Sequence, residues 1–319
     1  MKMFDGHADI WYDVAKKRKL GEERIVERYH LDRMRSGNIM GGIFIAYLGY
    51  EEGQDDVKEM LHLVNSTIHE IKNNPELFNI IKKKGDFNRG LVEEKLNVLM
   101  GIEGLRAIGK NLDWLDTLYE LGFRHASLTW NEENDLATGV GGDENRGLTD
   151  IGIEAVKKME KLGMIIDVSH ANEKTFWDIF NNTTKPIIAS HSNAYSLCKH
   201  RRNLTDEQIK AIASRDGIIG VNAYKGFVAI DPARQNLERY VDHIEYIISL
   251  VGVKHVTLGF DFCEYLNPEK KEEDINPKGL ENASKAYAVI EELRRREYSE
   301  SEIRKIAYEN FMRIAENLL

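Results

Sequence analysis

Cysteine is nearly absent from this chain: Cys198 and Cys263 are the only two in 319 residues, which excludes a disulfide-built scaffold. Proline is also scarce, with five residues, and no stretch rich in proline, glycine or serine marks a domain boundary. No window approaches the ~18 consecutive apolar residues of a membrane-spanning helix. The N-terminus has no basic segment leading into an apolar one, so no secretory signal is visible. Together these absences predict a soluble cytoplasmic protein that does not engage a membrane. Positive charge is in deficit too. Forty-four Lys and Arg against 53 Asp and Glu give a net charge of -9, which argues against nucleic acid as a partner. The short basic runs at 82–84 and 294–296 lie beside acids and read as solvated helix faces.

What the chain does have is a recurring apolar run. Strand candidates fall at 3–9, 39–47, 97–103, 123–129, 163–169, 186–191, 217–222 and 254–261. Amphipathic patterns lie between most of them. In 151–162, Ile151, Ala155, Met159 and Leu162 keep helical spacing while Lys157, Lys158 and Lys161 face water, and Thr149 is placed to cap the helix. Thr205 and Gln208 make a capping-box pattern ahead of another helix. The segment from Ser299 to Leu319 reads as one closing helix. Strand and helix in alternation imply a parallel sheet, and eight such units predict a TIM-type (β/α)8 barrel. The barrel is expected to form a single catalytic domain over 1–319. Two long loops, 131–146 and 263–278, would lie over its mouth, as lids or as mobile connections.

Four of the strand candidates end on a potential metal ligand: VLMGI before Glu103, MIIDVS before His170, PIIAS before His191, and VTLGF before Asp261. The first strand leads into His7 and Asp9, which at i and i+2 point to one face. His170 and His191 are one strand-helix-strand step apart, and each follows a serine. Any one of these residues alone has a bland reading, such as a strand-end turn residue or a hydrogen-bonded core histidine. Six donors at the ends where barrel chemistry collects point instead to one metal site. Mixed imidazole and carboxylate donors suit catalytic zinc, with Fe, Mn or Co as alternatives. Six donors exceed the three usual for a single zinc, so two ions sharing a carboxylate use them better. His125, internal to a strand candidate, is left without a role.

These motifs are similar to those of the membrane dipeptidase family of zinc peptidases, within the amidohydrolase-like metal-dependent hydrolase barrels. The resemblance runs from HAD to the terminal YENFMRI and includes GIEG, GLTDIG, IDVSHAN, ASHSNAYSLCKHRRNLTD and LGFDF in order. It implies that His7 and Asp9 hold one zinc, that His170 and His191 hold the other, and that Glu103 and a hydroxide bridge the two. It further implies that Asp261 exchanges protons and helps hold the substrate amine, and that Arg202 binds the substrate's free carboxylate. The activity implied is hydrolysis of the amide bond of a dipeptide, L-Xaa-D-Xaa dipeptides included, and the family suggests a homodimer. One departure bears on substrate. Many members carry histidine where this chain has Trp130, in LTWNEEN. Indole donates one hydrogen bond and does not titrate, so oxyanion stabilisation would rest on zinc, Asn131 or Asn134. Tyr224, in VNAYKG, is a further candidate for the substrate pocket, with an ordinary loop aromatic as its alternative. Trp130 leaves room for another binuclear-metal amide or ester hydrolase, such as a lactonase. A remoter alternative is a metal-binding barrel without turnover.

Overall fold

A computed structural model describes residues 1–49 and 53–319. Its sheet is built from β1 (Met3–Ala8), β2 (Ile39–Tyr47), β3 (Phe78–Ile80), β4 (Leu96–Glu103), β5 (Phe123–Ser127), β6 (Ile165–Asp167), β7 (Ile188–Ala189), β8 (Ile218–Val221) and β9 (Val256–Leu258). The hydrogen-bonded order is β1-β2-β4-β5-β6-β7-β8-β9, with β3 paired to β4 off that path. The β3–β4, β4–β5, β5–β6, β6–β7 and β8–β9 pairs are parallel. Just past β9, the N–H of Asp261 donates to the carbonyl of His7 in β1 at 3.1 Å, so the first and last strands meet. The topology is that of a nearly closed parallel (β/α)8 barrel. All eight strand candidates are present, while the three-residue β3 was not anticipated.

The strands read as apolar runs because both of their faces are covered. Every residue of β1 and β4 is buried, including the polar ones. The chain divides into two compact units. One comprises Met1–Asp9, Val26–Gly42 and Ala189–Ile314; the other comprises Ile10–Ile25, Ile43–Ile188 and Ala315–Leu319. In the first, Phe4 stacks on Phe311 with ring centroids 4.2 Å apart. In the second, Trp11 packs edge-on against Phe44 at 5.3 Å. Aromatics buried in this way contribute about 1.5–3 kcal/mol each.

The predicted caps form. Thr149 accepts from the N–H of Gly152 at the start of the helix Asp150–Leu162, and Thr205 with Gln208 closes a capping box on Asp206–Ser214. The closing helix is interrupted. Glu300–Arg304 and Asn310–Leu318 are α-helical, but Lys305–Glu309 forms a π turn. There the Thr257 hydroxyl donates to the Ile306 carbonyl at 3.2 Å, a tertiary bond inserted into the helical ladder. Both long loops are tied down. In the first, Val140 N–H donates to the His170 carbonyl at 3.0 Å. In the second, Arg33 pairs with Glu264 and Glu272, both at 2.9 Å. Among the described residues no helix is long and apolar enough to cross a membrane.

Candidate metal centre

In the first unit, β1 places Asp5 and His7 on one face by its two-residue period, and Asp9 sits in the turn just past the strand. The buried Asp5 carboxyl accepts from the N–H groups of His7 (3.2 Å) and Phe260 (2.9 Å), and burial pushes it up to about 8. His7 Nε2 faces Asp9 Oδ1 at 3.6 Å and Asp261 Oδ1 at 4.0 Å. Asp261 follows β9 with φ +57°, in the left-handed region that Asp tolerates better than most residues. This conformation lets its N–H reach the His7 carbonyl while its side chain turns toward His7.

One ligand atom from each of His7, Asp9 and Asp261 lies within 4.8 Å of the others. Burial pushes Asp9 up to about 7, and its Oδ1 accepts no hydrogen bond among the described residues. A buried carboxylate oxygen beside an imidazole nitrogen and a second carboxylate fits a divalent cation.

His191 follows β7 and lies against His7, with ring centroids 3.8 Å apart. Its Nε2 accepts from Arg202 Nη2 at 2.8 Å, and its Nδ1 is 2.7 Å from Ser190 Oγ. Three glycines from neighbouring strands close around the Ser190 carbonyl. A Cβ on Gly6, Gly220 or Gly259 would stand 2.9, 2.0 or 1.8 Å from that oxygen. Tyr224 is 38% exposed and packs on Phe227 at 4.8 Å, and Phe227 lies under the Arg202 guanidinium at 5.5 Å. Tyr224 is therefore one aromatic ring removed from Arg202.

In the second unit, Glu103 ends β4 and its Oε1 is 3.1 Å from His170 Nε2. The other ring nitrogen, Nδ1, donates to Asn131 Oδ1 at 3.0 Å, which fixes the ring with Nε2 facing the carboxylate. Trp130 lies 6.1 Å from the His170 ring and 5.3 Å from Tyr47, forming an aromatic wall. Asn134 commits its amide to the backbone of Leu128, Leu136 and Ala137 and so holds the loop. His125 is fully buried and bonds Asp167 Oδ2 at 3.0 Å. Asp167 Oδ1 in turn accepts from the N–H and hydroxyl of Ser169, fixing the turn that carries His170. The β4–β5 register slips between Met100 and Gly101. A Cβ at Gly101 would stand 2.6 Å from His125 Nδ1, so only glycine leaves room for that ring.

Ser190, Asn222, Asp5 and the His125–Asp167 pair have supporting roles that the sequence reading did not assign. The serine before each histidine was visible as a pattern, but the partners came from strands remote in sequence.

Residues 1–318 match the family model for membrane dipeptidase, peptidase family M19. The chain belongs to the membrane dipeptidase family. As a member it is a metallo-dipeptidase, a hydrolase acting on peptide bonds. The dipeptidase aclJ of Aspergillus oryzae is 29% identical over 330 residues, covering 97% of this chain and 76% of that protein. An uncharacterized protein of the pqqA 5' region of Klebsiella pneumoniae is 35% identical over 243 residues, covering 73% of this chain and 86% of its own length. A metallo peptidase from Rhodobacter sphaeroides, solved with a phosphinate mimic of the dipeptide L-Ala-D-Ala, has a TM-score of 0.88. It is 24% identical, with coverage of 100% of this chain and 99% of that one. This likeness shows that the barrel fold is shared.

Proposed function

We propose that this member of the family is a zinc-dependent dipeptidase that hydrolyses the amide bond of dipeptides, L-Xaa-D-Xaa dipeptides included. The whole chain, 1–319, would act as one catalytic domain. The observation that carries the reading is the close group of buried His7 and Asp9 with the half-buried Asp261, and His191 and Arg202 adjacent in the same unit. His7 and Asp9 would hold one ion, His170 and His191 the other, and Glu103 would serve both. Bound in that way, the metal would supply an activated water and polarise the scissile carbonyl.

The chain's own residues account for the remaining steps. Arg202 offers a fork of N–H donors to the substrate's C-terminal carboxylate. Asp261, with Oδ2 held by Asn222 and Oδ1 on the His7 side, would pass a proton to the departing amine. Trp130 and Tyr47 present an aromatic face beside His170, where the family resemblance leads one to expect a titratable histidine. The two free cysteines suit the reducing cytoplasm, where we place the protein.

Trp130 also supports a second reading, in which the same centre opens a lactone or another amide. A panel of L,L- and L,D-dipeptides beside lactones separates the two. Turnover of dipeptides with a free C-terminal carboxylate supports the first reading. Turnover of lactones alone overturns it.

A further inference from the structure

One hydroxyl stands between two of the candidate ligands. Ser190 Oγ is 2.7 Å from His191 Nδ1 and 3.2 Å from His7 Nδ1. We propose that Ser190 is a positioning residue whose hydroxyl oxygen accepts a hydrogen bond from the Nδ1–H of both rings and so directs both Nε2 lone pairs to the metal centre. The inference rests on the reading of His7 and His191 as ligands.

The His191 tautomer follows from its other neighbour. Arg202 Nη2 lies 2.8 Å from Nε2, and a guanidinium has donors only. Nε2 is therefore the bare nitrogen, whose single lone pair Arg202 would give up to a bound ion; the ring proton is on Nδ1, and Ser190 Oγ is its acceptor. A hydroxyl oxygen has a second lone pair, and His7 Nδ1 lies within reach of it. With its proton on that side, His7 turns a bare Nε2 toward Asp9 and Asp261, the arrangement a shared cation requires. Both rings are 1% exposed, so solvent does not replace the serine. Ser190 itself has little freedom, because its carbonyl sits in the collar of Gly6, Gly220 and Gly259. A single oxygen thus orients one ligand of each proposed ion, and its removal should loosen both.

The test is imidazole nitrogen-15 NMR of the zinc-loaded full-length chain, together with zinc competition against a chromophoric chelator. In the unsubstituted chain both rings should show a slowly exchanging Nδ1 proton. In Ser190→Ala both protons should exchange rapidly and zinc affinity should fall about tenfold or more, the usual effect of losing an outer partner of a ligand. Ser190→Thr, which keeps the hydroxyl, should restore both signals. An Nε2 proton on either ring, a change confined to one ring, or Ser190→Ala with slow protons and zinc affinity within about twofold of the original overturns the proposal. A chain that binds zinc and hydrolyses dipeptides, yet keeps slow protons in Ser190→Ala, defeats this inference alone. A chain that binds no zinc defeats the ligand reading beneath it.

Discussion

The side-chain amide of Asn222, just past β8, donates to Oδ2 of Asp261, just past β9, at 2.9 Å. Asn222 is itself fixed by a reciprocal pair with Asn193: its N–H donates to Asn193 Oδ1 at 2.7 Å, and its carbonyl accepts from Asn193 Nδ2 at 3.1 Å. One Asp261 oxygen is thereby held while the other faces His7. Hydrogen bonds to charged groups are worth about 1.5–3 kcal/mol. Asn222→Ala is therefore expected to lower kcat for dipeptide hydrolysis roughly 10- to 100-fold, with a smaller change in KM. Steady-state kinetics on one dipeptide checks this, and an unchanged kcat would remove Asn222 from the account.

Arg202 is assigned to the substrate carboxylate, so its effect should depend on that group being charged. Arg202→Ala is expected to reduce kcat/KM for a free dipeptide by about 100-fold, in line with the loss of a charge-assisted pair. The same substitution should have little effect on a dipeptide amide. Equal losses on both substrates would mean that the arginine acts chiefly through His191.

His243 provides a pH signature remote from catalysis. It is fully buried, with Nδ1 accepting from Ala194 N–H at 3.1 Å and Nε2 donating to the Val228 carbonyl at 2.9 Å. Burial pushes it from the ordinary 6.5 down to about 4. Between those values the unfolded chain binds a proton that the folded chain refuses. Stability attributable to this residue is thus complete above pH 6.5 and is lost as pH falls toward 4. The expected loss is on the order of 3 kcal/mol. Denaturant unfolding across that range should show a steep slope for the unsubstituted chain and a flatter one for His243→Gln. Parallel slopes would contradict the assignment.

The glycine collar makes a prediction about stability. Gly259→Ala would drive a Cβ to 1.8 Å from the Ser190 carbonyl, and backbone on both sides leaves nothing flexible to yield. The chain should lose roughly 3 kcal/mol or more, or fail to fold, since overpacking alone costs about 1–3 kcal/mol. A thermal unfolding midpoint equal to that of the unsubstituted chain would show that the strands can part at little cost.

The strand ends were legible because a strand buried on both faces reads as an unbroken apolar run, and a ligand that closes one interrupts the pattern. Glu103, His170, His191 and Asp261 stand out in this way. β3 did not, because three residues carry too little pattern and its place depends on pairing with β4. The π turn at Lys305–Glu309 was hidden for a similar reason: it coincides with a hydrogen bond from Thr257, almost fifty residues upstream. Ser190 and Asn222 are ordinary neutral residues in the sequence. Their importance arises only from side chains brought beside them by distant strands.

Central to the account is a pair of ions held by five side chains and required for dipeptide hydrolysis. The most direct measurement titrates zinc into the chelator-treated full-length chain while following hydrolysis of L-Ala-D-Ala. The account predicts that chelation abolishes turnover and that activity returns to a plateau at two zinc equivalents per chain. Turnover that survives chelation, or a plateau at one equivalent, would contradict it.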